Sequence, residues 1–154
     1  MYVLISFAMA VAPALYLVRY FYKKDINRPE PKGLIVKIFL LGVASALVAL
    51  VLELLVGWLG GRFIRSKLTM CIFRAFVVAG LCEEYIKLRV VKKFAYNKKA
   101  FDEVMDGIVY TVVASLGFAC LENVLYVWGG GISTALLRAF TAVPMHAFMS
   151  GIMG

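Results

Sequence analysis

From Gly107 to Leu137 the chain carries one charged residue, Glu122. A run of that length cannot be hidden in a soluble fold of 154 residues, because small domains still expose much of their surface. Two further runs repeat the pattern. Tyr2 to Val18 has no charge, and Glu53 is alone in the stretch from Ile38 to Leu59. The composition agrees: 63% of residues are hydrophobic, only 17% are charged, and mean hydropathy is +0.88. A soluble globular enzyme and a disordered chain are both excluded, and lipid must cover the apolar excess.

The expected fold is all-α, a polytopic transmembrane helix bundle forming one domain over residues 1–154. About five spans are expected: Tyr2 to Tyr22, Leu34 to Leu59, Met70 to Val91, Asp106 to Trp128, and a segment from Ser133, its expected cap, to Gly154. Gly129-Gly130-Gly131 should break the fourth from the fifth. The first run lacks a basic leader and an A-x-A cleavage site, so it reads as a retained anchor. The chain stops within apolar sequence, which reads as a natural protein cut short.

Charge is +8, from 17 Lys and Arg against 9 Asp and Glu. The basic residues gather between the apolar runs, as in loops at an anionic membrane surface, so no nucleic-acid partner is expected. They are densest around residues 19–37 and 89–99, which puts those two loops in the cytoplasm and the N-terminus outside. Cys71, Cys82 and Cys120 form no CxxC and read as small buried hydrophobes.

The charges inside the apolar runs need reasons, because each costs about 2.5–3.5 kcal/mol on insertion scales. Glu83, Glu84 and Lys87 share one helical face, so one cation serves two carboxylates. In a low dielectric the two acids do not both ionise easily, which yields one base and one potential acid. An interfacial salt-bridge cluster is the structural alternative. Glu122 and Asn123 can border one cavity, or else form an interhelical hydrogen-bonding pair. Pro144 disfavours helix just ahead of it, which would turn His146, the only histidine, toward a polar space. Glu53 reads as a structural partner of Arg74 or Arg138, and Asp106 as a helix N-terminus device. One depth problem remains. The midpoint of Glu83 and Glu122 falls between Asp102 and Glu103, but the loop from Lys92 to Glu103 is centred near Asn97. The glutamates share a level only if the hairpin turns late or a helix is broken.

Paired Glu on one span, Glu-Asn on the next and His on the one after would line a catalytic cavity within a bundle. EExxK at Glu83-Glu84-x-x-Lys87, FxxxEN from Phe118 to Asn123, and Pro-x-His from Pro144 to His146 together resemble the PrsW family of bacterial intramembrane proteases. Asp106-Gly107-Ile108-Val109-Tyr110 and Leu116-Gly117-Phe118 agree, and the likeness runs from about Val3 to Gly154. The wider superfamily of CAAX prenyl proteases and Abi proteins has EExxxR and FxxxH where this chain has EExxK and FxxxE.

The resemblance implies an endopeptidase of the bacterial inner membrane. Its partner would be a single-span anti-sigma factor, cleaved to release an envelope-stress sigma factor. Glu83 would be the general base, Glu84 would hold or share the proton, and Lys87 would tune the pair. Glu122, Asn123 and His146 would position water or stabilise the oxyanion. No HExxH is present and one histidine is few for zinc, so a metal-independent site is favoured and zinc stays open. There is no signal for a soluble cofactor. The resemblance also implies a further histidine on a later helix, beyond Gly154, without which the chain alone would be incompetent. A small ion-coupled transporter using intramembrane carboxylates is the alternative, though no internal repeat supports it.

Overall fold

The structure is a computed structural model that describes residues 2–24 and 28–154. Asp25 to Asn27, in the first expected loop, lie outside the described residues. The described residues form helices and connecting loops, with no strand among them. Helix α1 is Tyr2–Lys24, its last turn carrying Lys23 and Lys24 against the negative end of the helix dipole. Helix α2 is Lys32–Phe63, entered from Pro31, whose φ of −57° suits a helix start. Helix α3, Lys67–Phe73, is capped by the Ser66 hydroxyl, which accepts from Thr69 N at 3.4 Å. It runs without interruption into a π-helical segment, Arg74–Cys82, and on into α4, Glu83–Phe94.

Helix α5, Val104–Phe140, begins with a capping box, and here the expectation for Asp106 holds. The buried Asp106 carboxylate accepts from Asp102 N at 2.7 Å and Glu103 N at 2.6 Å. The helix is broken at Gly131, where φ is +67°, a left-handed conformation that only glycine adopts without strain. The chain folds back there. Val127 packs near Ala135, the Arg138 side chain reaches Asn123, Ser115 bonds to His146, and Gly151 lies against Val112. Residues 104–130 and 132–153 are thus two antiparallel arms, the second completed by α6, Ala142–Met153, after a break at Thr141. Pro144 sits in the first turn of α6, where its missing N–H is tolerated.

Among the described residues, three stretches are long and apolar enough to cross a membrane, not five: Leu4–Lys24, Lys32–Phe63 and Val104–Met153. The difference has two causes. Residues 67–94 carry Arg74, Glu83, Glu84, Lys87 and Arg89, too many charges for a lipid-facing span. The fourth and fifth expected spans form one apolar stretch that doubles back at Gly131. Ser133 caps no new helix there; its hydroxyl donates to the Gly130 carbonyl at 3.4 Å.

Residues 109–120 are buried on every face, which makes the first arm of α5 the central element. Helix α2 lies directly against it. A Cβ on Gly42 would overlap the Ala114 carbonyl, and one on Gly117 would overlap the Phe39 carbonyl, so reciprocal glycines let the two backbones touch. The outer faces of α1, α2 and α5 present Leu4, Phe7, Leu54, Trp128 and Phe140 outward, as a lipid-covered surface requires. At one end Arg28 pairs with Asp102 at 3.1 Å and Glu103 at 3.3 Å, and the Tyr110 hydroxyl donates to the buried Glu30 carboxylate. The loops before α2 and before α5 therefore lie at the same end of the bundle.

Gly117→Val and Gly42→Val should each lower stability by about 1–3 kcal/mol or more, through forced separation of α2 and α5. Gly61→Ala, made where a Cβ meets open space, should leave stability unchanged or slightly raised. Thermal unfolding in detergent, followed by circular dichroism, checks both outcomes.

Candidate active site

The π-helical turns of Arg74–Cys82 are wider than α-helical ones and rotate α4 relative to α3. They end at Cys82, one residue before the paired carboxylates. Helix α4 then points Glu83, Glu84 and Lys87 at the central arm of α5. The loop into α5, residues 95–103, is centred at Lys99, two residues later than expected, and Ile86 shares a core cluster with Phe118.

Lys87 is fully buried, and its ammonium is the centre of the cluster. Nζ lies 3.1 Å from Glu83 Oε2, 2.8 Å from Glu84 Oε1 and 3.0 Å from His146 Nδ1. The Phe118 ring closes the remaining side, its centroid 4.3 Å from Nζ. A lysine ammonium has only donors to offer, so His146 Nδ1 must accept. The imidazole proton is then on Nε2, which donates to Glu122 Oε2 at 2.9 Å. Hydrogen-bond geometry thus assigns the tautomer. Glu122 Oε2 also receives the Arg138 guanidinium, with Nη2 at 2.8 Å. Arg138 Nε donates to Asn123 Oδ1 at 2.7 Å, and Asn123 Nδ2 donates to the Ala10 carbonyl at 3.3 Å.

Two serines complete the support. The Ser150 hydroxyl donates to Glu84 Oε2 at 3.1 Å, and the Ser115 hydroxyl donates to the His146 carbonyl at 2.9 Å. Glu83 and Glu122 do not touch. They face a cavity of about 290 Å³, floored by Phe118, with His146 joining their two sides.

The structure brings Glu83, Glu84, Lys87, Glu122 and His146 together. Asn123 reaches the group only through Arg138, which it orients. Arg138 is the residue that sequence reasoning misses, since it reads there as part of an outer loop or as a partner of Glu53. A signal is present, because counting outward from Gly131 along two antiparallel arms sets Arg138 opposite Asn123. The expected pairing of Glu53 with Arg74 or Arg138 is not formed. Arg138 is committed to Glu122, and among the described residues Glu53 has no hydrogen bond or ion pair. Of the cysteines only Cys120 is buried; Cys71, on α3, is exposed and Cys82, at the end of the π-helical segment, is half-buried. All three are free thiols.

Residues 30–154 match the model of a family described as PrsW family intramembrane metalloprotease. The chain belongs to the PrsW family. Among curated PrsW proteins, Protease PrsW of Geobacillus kaustophilus is 40% identical over 94% of this chain and 61% of its own length. Protease PrsW of Bacillus subtilis is 37% identical over 94% and 63%, and that of Clostridioides difficile 33% over 96% and 63%. The chain spans about three-fifths of the length of these PrsW relatives. No solved structure matches it. Family and apolar helices together make it a membrane protein.

The PrsW family description names a metal, and suitable donors are present. One carboxylate oxygen each from Glu83 and Glu84 and a ring nitrogen of His146 lie within 4.8 Å of one another. Zinc would need them at about 2.0–2.2 Å around one point. That point is held by Lys87 Nζ, at 2.8–3.1 Å from all three residues. An ammonium and a divalent ion repel and cannot share it. As arranged, the donors fit a cation, but the cation is Lys87, and a metal does not fit beside it.

Lys87→Met should therefore lower stability by about 3–5 kcal/mol, because it strands buried carboxylates without a counter-charge. Adding Glu84→Gln should recover part of that loss by removing one stranded charge. Denaturant titration of both variants in micelles measures the difference.

Proposed function

We propose that the chain forms the core of an intramembrane endopeptidase with a glutamate-activated water and no metal. Glu83 is the base. Lys87 bonds to it and aims it at the cavity, while Glu84, bound to Lys87 and Ser150, carries the second carboxylate of the pair. A water in the cavity between Glu83 and Glu122 gives its proton to Glu83 as its oxygen bonds to the peptide carbon. Negative charge then develops on the carbonyl oxygen. His146 Nε2–H and the Arg138 guanidinium, both now engaged by Glu122, which lines that space, are the donors that take up this charge. Glu83 passes its proton to the amide nitrogen, and the C–N bond breaks.

The observation that carries this reading is the single chain of contacts from Glu84 through Lys87 and His146 to Glu122 and Arg138. It supplies a base, a fixed imidazole tautomer and a cationic donor around one cavity. The family resemblance supports a single-span anti-sigma factor as the substrate and a bacterial inner membrane as the location. The basic residues support an outside N-terminus, with the loops tied by Arg28 in the cytoplasm.

Co-expression with a single-span anti-sigma substrate tests the activity, in the chain itself and in a version extended to the length of its relatives. Glu83→Gln should cut cleavage at least about 10²-fold at unchanged protein level. Normal cleavage by that variant would remove Glu83 from the reaction. For the metal, titration calorimetry should find no zinc binding by the unaltered chain and measurable binding by Lys87→Ala. Chelator treatment should leave cleavage unchanged.

A further inference from the structure

The cavity at Glu83 and Glu122 is one end of a longer groove. A second space of about 540 Å³ adjoins it, and the two share Leu50, Glu53 and Tyr126 as lining. The groove follows α2 from Ala46 to Trp58 and ends at Arg74 of the π-helical segment. At about 1.5 Å of rise per residue, that length of α2 is about 18 Å. It accommodates about five residues of extended polypeptide at ~3.3 Å each.

Glu53 stands where the two spaces meet. Its carboxylate has no hydrogen bond or ion pair among the described residues, in a helix otherwise apolar at that level. The charges nearby do not offset it. Lys87 and Arg138 are both engaged by Glu83, Glu84 and Glu122, and Arg74, at the far end of the groove, forms no ion pair with Glu53 among the described residues. A carboxylate in such a setting is costly unless something that binds there supplies a cation.

We propose that this groove holds the substrate's membrane segment in extended form, and that Glu53 selects a lysine or arginine side chain lying a few residues from the bond presented to Glu83. The assignment rests on the endopeptidase reading for the identity of the occupant. Charge complementarity names the side chain: an unpartnered carboxylate midway along an apolar groove accepts one cation, while Leu50 and Tyr126 cover its aliphatic stem.

The test uses the chain with Glu83→Gln, so that nothing is consumed, and two synthetic apolar membrane-spanning peptides. One carries a single central lysine and the other carries norleucine in its place. The lysine peptide should bind at least tenfold more tightly, and adding Glu53→Gln should bring the ratio below threefold. Equal binding of the two peptides overturns the proposal on unaltered Glu53, and is the result expected of a groove that merely holds lipid. A lysine preference that survives Glu53→Gln overturns it as well. Cleavage assays with Glu83 intact separate this proposal from the one beneath it. Binding preference without cleavage of either peptide, by a version extended to the length of its relatives, sinks the endopeptidase and leaves the groove a peptide site. Cleavage of both peptides at equal rates sinks the role of Glu53 alone.

Discussion

A lysine ammonium with no access to solvent holds the centre of this molecule together. Lys87 neutralises carboxylates on its own helix and fixes the imidazole of His146 on another. It also rests on the Phe118 ring of the central helix. In a low dielectric these contacts are strong, and leaving any member alone is costly. Helices α4, α5 and α6 meet at this one charge. The tautomer of His146, and through it the orientation of Glu122, is set by the fact that lysine can only donate.

The rest of the bundle keeps that cluster dry on one side and open on the other. Glycines 42 and 117 let α2 and α5 touch, so the wall behind Phe118 is backbone against backbone. Gly131 turns the chain and returns Arg138 and His146 to the level of Asn123 and Glu122. The π-helical segment rotates the start of α4, and the groove opens between it and α2. None of these devices is itself chemical. Each determines where a charged group ends up.

Much of this was legible in the chain. The uncharged runs required helices in lipid, because only internally hydrogen-bonded backbone survives there. Glu83, Glu84 and Lys87 were readable as one face, since helical spacing is a local property. The capping role of Asp106 was readable for the same reason. The number of apolar crossings was not. Five were expected, and among the described residues three stretches qualify: hydropathy does not register that 104–153 doubles back, and 67–94 carries too many charges to face lipid.

What the sequence determined by itself is the class of the protein, its family, and the residues that could not be left in lipid without a reason. Those come from composition, periodicity and motif order, which are properties along the chain. Only the tertiary structure decided which charges meet. It gave Arg138 to Glu122 instead of Glu53, set Asn123 behind Arg138, and brought His146 to Lys87. The physical reason is that an ion pair between distant residues depends on the rotation and register of packed helices. One glycine at positive φ and nine residues of π-helix set that register; the glycine break was legible in the chain, but the rotation it and the π-helical turns impose was not.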